Sequence, residues 1–173
     1  TIAVSVSPFG IRLLNASQTK DALKGFKPNI WYEITPNNVV TVFIGASEMG
    51  QGTHTALAMV IADELDADWR QVRVKQGPAA KEYHNPLLGE QLTVASAAVR
   101  GFYDPCRKAG AAGRAMLVKT AAASWGVPET ECETNKGTVT HKKSSRKSTY
   151  GQLCLAAAKM EIPKEPALKK EGD

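Results

Sequence analysis

A glycine-punctuated loop constrains the fold of this chain more than any other stretch. Residues 45–52 read Gly-Ala-Ser-Glu-Met-Gly-Gln-Gly, and they stand between residues 39–44, which have high β-propensity, and an amphipathic segment that opens at Thr53. The order is therefore strand, loop, helix. Such a junction can direct backbone N–H groups and a helix N-terminus at an anion, as phosphate sites commonly do. Gly50 and Gly52 would let the backbone approach a ligand closely. On local pattern alone, a tight turn without a ligand is the commoner case.

The flanking segments predict the unit to which this loop belongs. Apolar and polar residues alternate over residues 30–35, turn-forming residues follow at 36–38, and residues 39–44 return as the second strand of a hairpin. Apolar residues at helical spacing predict a helix from Thr53, and renewed alternation predicts a third strand over residues 69–75. The sequence therefore predicts a β–β–α–β unit with the helix packed across the sheet.

Two details of this unit are specific enough to be tested. On the third strand, we expect Val72 and Val74 to face inward, because they alternate with basic residues. Near the C-terminal end of the helix, the macrodipole disfavours negative charge, so we expect the acids there to face solvent or a partner. These acids are Asp63, Glu64, Asp66 and Asp68.

The second half of the chain predicts a long helix and a small hairpin. Residues 76–92 form a loop, and a helix begins after residues 93–96; Pro105 is expected to kink or split it, and residues 126–128 end it. An apolar stripe marks its inner face. This stripe consists of Val99, Phe102, Tyr103, Cys106, Gly110, Gly113 and Leu117.

The remaining elements complete an α+β prediction. Residues 132–134 and 138–142 form a hairpin around Asn-Lys-Gly, and residues 149–160 form a short helix. The predicted fold is thus a two-layer α/β arrangement, in which a β-hairpin–α–β unit is followed by a long kinked helix and a small hairpin plus helix. We assign residues 29–161 to one ligand-binding lobe and residues 162–173 to an exit linker.

The first 28 residues allow two interpretations. Residues 1–16 are either an apolar arm packed on the domain or the remnant of a secretory signal, and residues 17–28 form a polar linker. No apolar run is long enough to cross a bilayer, so we expect no stable membrane insertion. A periplasmic location is the expectation under the signal interpretation, and the cytoplasm is the alternative.

Composition argues against several classes of function. The net charge of +5 is modest, and the lysine-rich C-terminal third lacks interleaved aromatic residues, so nucleic acid is a weak candidate partner. Three well-separated cysteines show no metal-site or disulfide pattern, and each is expected to be a small buried hydrophobe. We predict no metal ligands and no catalytic residues, since the three histidines stand on different elements.

The two helix starts are the candidate ligand site. Backbone at residues 50–53 and 93–96 could converge on one polar ligand that carries phosphate groups. Ser96 suits a phosphate donor at a helix N-terminus, and Arg100 could add charge, although a surface arginine is the commoner case. His54 stands beside the loop, where capping or packing is favoured over ligand binding.

Several blocks of this sequence resemble the molybdenum hydroxylases, the group that contains xanthine dehydrogenase and aldehyde oxidase. The resemblance is greatest to the large (beta) subunits of the isoquinoline 1-oxidoreductase type, and it covers residues 29 to about 170. The blocks are Asn-Ile-Trp at 29–31, Glu-Met-Gly-Gln-Gly at 48–52, residues 62–69, residues 107–111, residues 114–118, and Trp-Gly-Val-Pro at 125–128.

The resemblance implies a cofactor and the residues that contact it. The family binds molybdopterin with molybdenum, in bacteria often as the cytosine dinucleotide. The family's second block is typically Thr-Gly-Gly-Ser; residues 93–96 keep its threonine and serine but replace both glycines, one by Val94. The cofactor-binding residues implied by the two blocks are Met49, Gly50, Gln51, Gly52, Thr93, Ala95, Ser96 and Ala97.

The resemblance also implies that this chain is one part of an enzyme. In the family, an N-heterocycle or an aldehyde is hydroxylated with oxygen from water, a glutamate from a distant block is the base, and electrons leave through an iron–sulfur subunit. Those distant blocks are not found here. The expected partners are therefore the other domains of the large subunit and the small iron–sulfur subunit, and the isolated chain should not turn over. A non-catalytic scaffold module that has lost the cofactor is the alternative.

Overall fold

The computed structural model describes residues 3–7, 10–14, 25–170 and 172. Strands β1 (Ala3–Ser7) and β2 (Gly10–Leu14) pair antiparallel in a hairpin that the sequence did not predict. Of the predicted arm and linker, residues 1, 2, 8, 9 and 15–24 lie outside the described residues. Phe26, in the described end of that linker, is fully buried and exchanges two backbone hydrogen bonds with Ile34. This part of the segment therefore belongs to the core.

A three-stranded sheet carries the predicted β–β–α–β unit. Strands β3 (Tyr32–Ile34) and β4 (Val40–Ile44) form an antiparallel hairpin, and β5 (Val72–Gln76) pairs parallel to β4, so the order is β3-β4-β5. Helix α1 (Thr53–Leu65) makes the crossover between the parallel strands, as such a connection requires. The α+β fold and this unit are confirmed.

One inward position of β5 was predicted wrongly. Val72 is buried, but Val74 on the same face is 37% exposed, because the cover over this edge strand ends after its first residue. Alternation alone could not show where that cover ends.

Helix α2 (Ala97–Trp125) packs along α1 and supplies much of the core. It runs without interruption across Pro105, so a split helix is excluded; proline removes only the bond to Gly101, one turn earlier. In the predicted stripe, Val99 and Tyr103 are exposed, whereas the other five residues are buried. The apolar face of α2 is therefore narrower at its start than the sequence predicted.

Close packing of α2 requires glycine. A Cβ on Gly110 would lie 2.7 Å from the carbonyl oxygen of Ile61, and a Cβ on Gly113 would overlap the Tyr32 hydroxyl. The two helices thus approach at a distance that side chains would prevent. The helix ends at Gly126, whose left-handed backbone directs its N–H back to Ala122 and Ala123, as predicted.

A second small sheet and a short helix follow. Strands β6 (Cys132–Asn135) and β7 (Thr138–His141) form the predicted hairpin, with Lys136 and Gly137 both at positive φ. Strand β8 (Lys147–Thr149) adds to β7 and was not predicted. Helix α3 (Tyr150–Ala157) starts in a capping box between Thr149 and Gln152.

The acids at the end of α1 do not all face outward. Glu64 is 1% exposed, and its carboxylate accepts from Arg107 at 2.7 Å and from the Lys169 backbone N–H at 3.1 Å; Arg114 lies 3.6 Å away. The expectation of a solvent-facing or partner-facing acid is therefore wrong for Glu64. The groups that bind its carboxylate stand 43 or more positions away in sequence, on α2 and in the C-terminal tail.

Charged side chains of the same cluster also bind the C-terminal tail to the lobe. Lys169 also pairs with Asp66, while the side chain of Arg114 donates to the carbonyl oxygen of Ala167. Residues 167–169 consequently lie against α1 and α2.

Candidate functional site

The structure brings the two predicted turns together. The backbone N–H of Ser47 donates to the Thr93 hydroxyl at 2.8 Å, and the side-chain amide of Gln91 donates to the carbonyl oxygen of Gly45 at 3.1 Å. These bonds join segments 46 positions apart in sequence. The loop before α1 and the turn before α2 therefore form one continuous surface.

A cleft of about 410 Å³ lies between these turns. Six of the eight predicted binding residues line it, together with four neighbours, whereas Gly50 and Gly52 lie beside it. The six are Met49, Gln51, Thr93, Ala95, Ser96 and Ala97; the neighbours are Thr53, Val94, Ala98 and Val99.

The α1 N-terminus already holds an anion, the carboxylate of Glu48. Gly50 and Gly52 donate backbone N–H groups to one carboxylate oxygen at 2.9 and 3.0 Å, and His54 donates to the other at 3.0 Å. The bond from His54, followed by that from Gly52, holds the pKa of Glu48 below its ordinary value. These backbone donors, which the sequence suggested for phosphate, are therefore used within the loop.

The glycines of this loop are required by conformation. Gly50 has φ 98° and Gly52 has φ 79°, a left-handed region in which other residues are strained. A Cβ at either position would meet no atom of the described structure within 4 Å. Space beside these glycines is therefore open.

Gln51 folds its amide back onto the loop. Its nitrogen donates to the Ser47 carbonyl oxygen and its oxygen accepts from the Met49 N–H, both at 2.7 Å. The side chain remains exposed, and each amide atom keeps a second hydrogen-bonding position. Gln51 can thus shape the loop and contact a ligand at the same time.

The start of α2 has a glycine-like backbone without glycine. Ala95 and Ser96 have φ 52° and 53°, and the Ser96 side chain makes no capping bond. The N–H of Ala97 already donates to the Val94 carbonyl oxygen at 3.0 Å. The next N–H groups of a helix start lack partners within the helix, so this terminus can receive an anion. Ala95 stands where the family block has a glycine, and its backbone lies in the left-handed region that glycine adopts without strain.

Asn85 positions this turn, although its sequence indicated no more than a place in the loop at residues 76–92. It is fully buried; its amide donates to the Ala97 carbonyl oxygen at 2.8 Å and accepts from the Leu87 N–H at 2.9 Å. Gly101 leaves room for it, since a Cβ there would overlap the Asn85 oxygen. Its contact with α2 joins residues 12 positions apart and is visible only in three dimensions.

The other candidate side chains have simpler roles. The ring of His54 contacts the Ala46 carbonyl oxygen at 2.8 Å, in keeping with the favoured packing role. Arg100 is exposed. Cys106 and Cys154 are buried as expected, whereas Cys132 is only partly buried.

In the described part of the chain, no three metal-ligating side chains come together. None of the helices described there combines the length and the apolar character needed to span a bilayer.

The fold is of α+β type, and its cleft lies between the starts of two helices. The family model for the molybdopterin cofactor-binding domain matches residues 1–173. The chain belongs to this family, which confirms the resemblance seen in the sequence.

Curated relatives agree with this assignment. The chain is 42% identical over 151 residues to the beta subunit of isoquinoline 1-oxidoreductase from Brevundimonas diminuta, a match that covers 86% of this chain and 19% of that protein. It is 32% identical over 110 residues to a nicotinate dehydrogenase subunit from Pseudomonas putida, a match that covers 64% of this chain and 9% of that protein. The chain thus spans less than a fifth of the length of these relatives.

Solved structures share the fold. Cu,Mo-CO dehydrogenase in its carbon monoxide reduced state superimposes with a TM-score of 0.56 at 22% identity, over 72% of this chain and 15% of that chain. Quinoline 2-oxidoreductase from Pseudomonas putida 86 superimposes with a TM-score of 0.53 at 19% identity, over 70% and 15%.

Proposed function

We propose that this chain is the lobe of a molybdenum hydroxylase large subunit that contacts the molybdopterin cofactor in the cleft between residues 45–52 and 93–97. The observation that carries the proposal is the Ser47–Thr93 hydrogen bond, which joins the two family blocks into one surface. The proposed contacts are Met49, Gly50, Gln51, Gly52, Thr93, Ala95, Ser96 and Ala97.

The residues present fit such a cofactor. A cleft of about 410 Å³ is within the range of small-molecule sites, ~300–1,000 Å³. Met49 and Val94 are 71% and 52% exposed, so they offer apolar surface to a flat ring system. Ser96 and the first turn of α2 offer donors to a phosphate group. The chain holds the cofactor by backbone and small side chains, and the bound molybdenum would supply the redox chemistry.

The activity of the complete protein is proposed from the relatives. Their names include isoquinoline 1-oxidoreductase and nicotinate dehydrogenase, both of which point to N-heterocyclic substrates. We propose hydroxylation of an N-heterocycle or an aldehyde with oxygen derived from water, a cytosine dinucleotide form of the cofactor, a small iron–sulfur partner subunit and a periplasmic location. We assign no catalytic residue to this chain and expect no turnover from it alone.

A scaffold module without cofactor is the second candidate. Two observations favour it: neither glycine of the family's second block is present, and Glu48 already occupies the backbone donors at α1. The two candidates differ in a quantity that can be measured, the molybdenum and pterin content of the protein.

The test is cofactor content after expression in the native host. Full-length protein is purified, and molybdenum is measured by mass spectrometry and pterin by fluorescence of its oxidised form. We expect stoichiometric molybdenum and pterin in the wild type. Ser96→Asp should lower both at least tenfold, because it places a carboxylate where we propose a phosphate.

A matched control is available at Ser145. It is also exposed and also at positive φ (55°), and it does not line the cleft. Ser145→Asp should keep wild-type cofactor content. A wild-type protein without molybdenum would support the scaffold module, and equal content in both variants would refute the proposed contacts at Ser96. Fractionation of the host separately tests the periplasmic location.

A further inference from the structure

Glu48 occupies backbone donors at a helix N-terminus, a position that commonly binds anions. Its two carboxylate oxygens accept three backbone N–H bonds from Gly50, Gly52 and His54, at 2.9–3.0 Å. We propose that Glu48 is a positioning residue: it excludes phosphate groups from the α1 N-terminus and holds the loop in the shape that lines the cleft. The inference rests on the proposed function only for the identity of the ligand.

The competition favours the resident carboxylate. Glu48 stands two, four and six residues before its three donors, so its effective concentration at this point is on the order of millimolar or higher. A free anion must exceed that concentration to displace it. Both groups would use the same charge-assisted hydrogen bonds, so a phosphate gains little that Glu48 does not already have.

The described groups around Glu48 do not neutralise its carboxylate. His54 is the charged or titratable group that acts on Glu48, and its ring is engaged by the Ala46 carbonyl oxygen. From the facing turn, Thr93 contributes a neutral hydroxyl to the backbone of Ser47. The hydrogen bonds to the Glu48 carboxylate come from the three backbone donors.

The same bonds determine which residues face the cleft. With Gly50 and Gly52 tied to Glu48, the intervening Gln51 folds back onto Ser47, and Met49 and Gln51 line the cleft. The α1 terminus thus serves as a wall of the site. The anionic part of a ligand is left to the opposite turn, where the Ser96 side chain makes no capping bond.

The test is a titration of the 173-residue chain with inorganic pyrophosphate, followed by the NMR signals of backbone amides. In the wild type, the amides of Gly50, Gly52 and His54 should not respond at millimolar pyrophosphate. In Glu48→Ala, the same three amides should shift with saturation. The apparent affinity at these amides should rise about tenfold or more, which corresponds to ~1.4 kcal/mol or more.

Glu48→Gln separates charge from shape. Its amide oxygen can still accept from the glycine N–H groups, but its nitrogen cannot accept from His54, so binding should be intermediate. Unchanged signals of core residues away from the loop, in particular Val72 and Val139, show that each variant is folded. Saturable pyrophosphate shifts of the three amides in the wild type, or equal affinity in all three proteins, would overturn the proposal.

This result is independent of the test of cofactor content. If the full-length protein lacks molybdenum but the variants show the expected pyrophosphate difference, the proposed function fails and the role of Glu48 remains. If the protein carries molybdenum but wild-type amides bind pyrophosphate, the cofactor assignment remains and the role of Glu48 is refuted.

Discussion

Replacement of Glu64 by glutamine should destabilise the fold by about 2–3 kcal/mol. The carboxylate is 1% exposed and accepts from Arg107, while Arg114 and the Lys169 N–H approach its second oxygen. Glutamine keeps the volume, so no cavity contributes to the loss. It removes the negative charge and directs an N–H₂ group toward groups that are themselves donors.

The magnitude follows from the burial of the partners. Loss of one member of a fully buried ion pair costs ~3–5 kcal/mol, because the other charge is left uncompensated. The side chains of Arg107 and Arg114 are 25% and 18% exposed, so water can solvate part of their charge. We therefore expect the lower end of that range or slightly less. Domain stabilities are ~5–15 kcal/mol, so this loss is large.

Urea unfolding measures the loss, and Asp63→Asn is the matched control. Asp63 precedes Glu64 on the same helix but is 69% exposed, so its replacement should change the free energy of unfolding by ~0.5 kcal/mol or less. A double-mutant cycle with Arg107→Gln should show a coupling of ~1 kcal/mol or more. If Glu64→Gln costs no more than Asp63→Asn, the network does not stabilise the packing of α1 on α2.

Three further predictions concern the cleft. Ala95→Gly should raise the free energy of unfolding in urea by ~0.5 kcal/mol. Relief of left-handed strain, ~1–2 kcal/mol, exceeds the entropic cost of glycine, ~0.5–1 kcal/mol. A loss of stability would contradict the φ of 52° at Ala95. Gly101→Ala should destabilise by ~1–2 kcal/mol, since its Cβ would displace the buried Asn85 side chain, and unchanged stability would show that Asn85 can move freely. The backbone bonds to Glu48 lower its pKa, so their contribution to the stability of the fold is present above the unfolded pKa, ~4.3, and is lost as pH falls through the lower folded pKa. The amide signal of His54 should titrate with the folded pKa of Glu48. A midpoint above 4.5 would refute the bonds.

Local patterns in the sequence predicted the elements that depend on local physics. Alternation identified the hairpin β3–β4, and helical spacing after Thr53 identified α1. The loop at residues 45–52 was recognised because two glycines and a preceding strand are sufficient to indicate the junction. The turn of the small hairpin could also be predicted from adjacent residues, since Lys136 and Gly137 both take positive φ.

Features that depend on distant partners were not predictable. Glu64 looked like its acidic neighbours, and its burial depends on Arg107, Arg114 and the Lys169 N–H, the nearest of which is 43 positions later. Strand β8 is three residues long and polar at its ends, so its sequence carries no alternating signal; Ser148 is buried through pairing with Val139. The Glu48 carboxylate at the α1 N-terminus was missed because the same residues equally suit an external anion.

The two ends of α1 serve different purposes. At its C-terminal end, Glu64 opposes the helix dipole and is tolerated because α2 supplies two arginines and the tail supplies a backbone N–H donor. At its N-terminal end, Glu48 agrees with the dipole and is exposed, so it shapes a surface at little cost to stability. The thirteen residues of α1 separate these ends by ~18–20 Å, a distance at which substitutions usually act independently. Variants at Glu64 should therefore report on folding, and variants at Glu48 on the ligand surface, without confusion between the two.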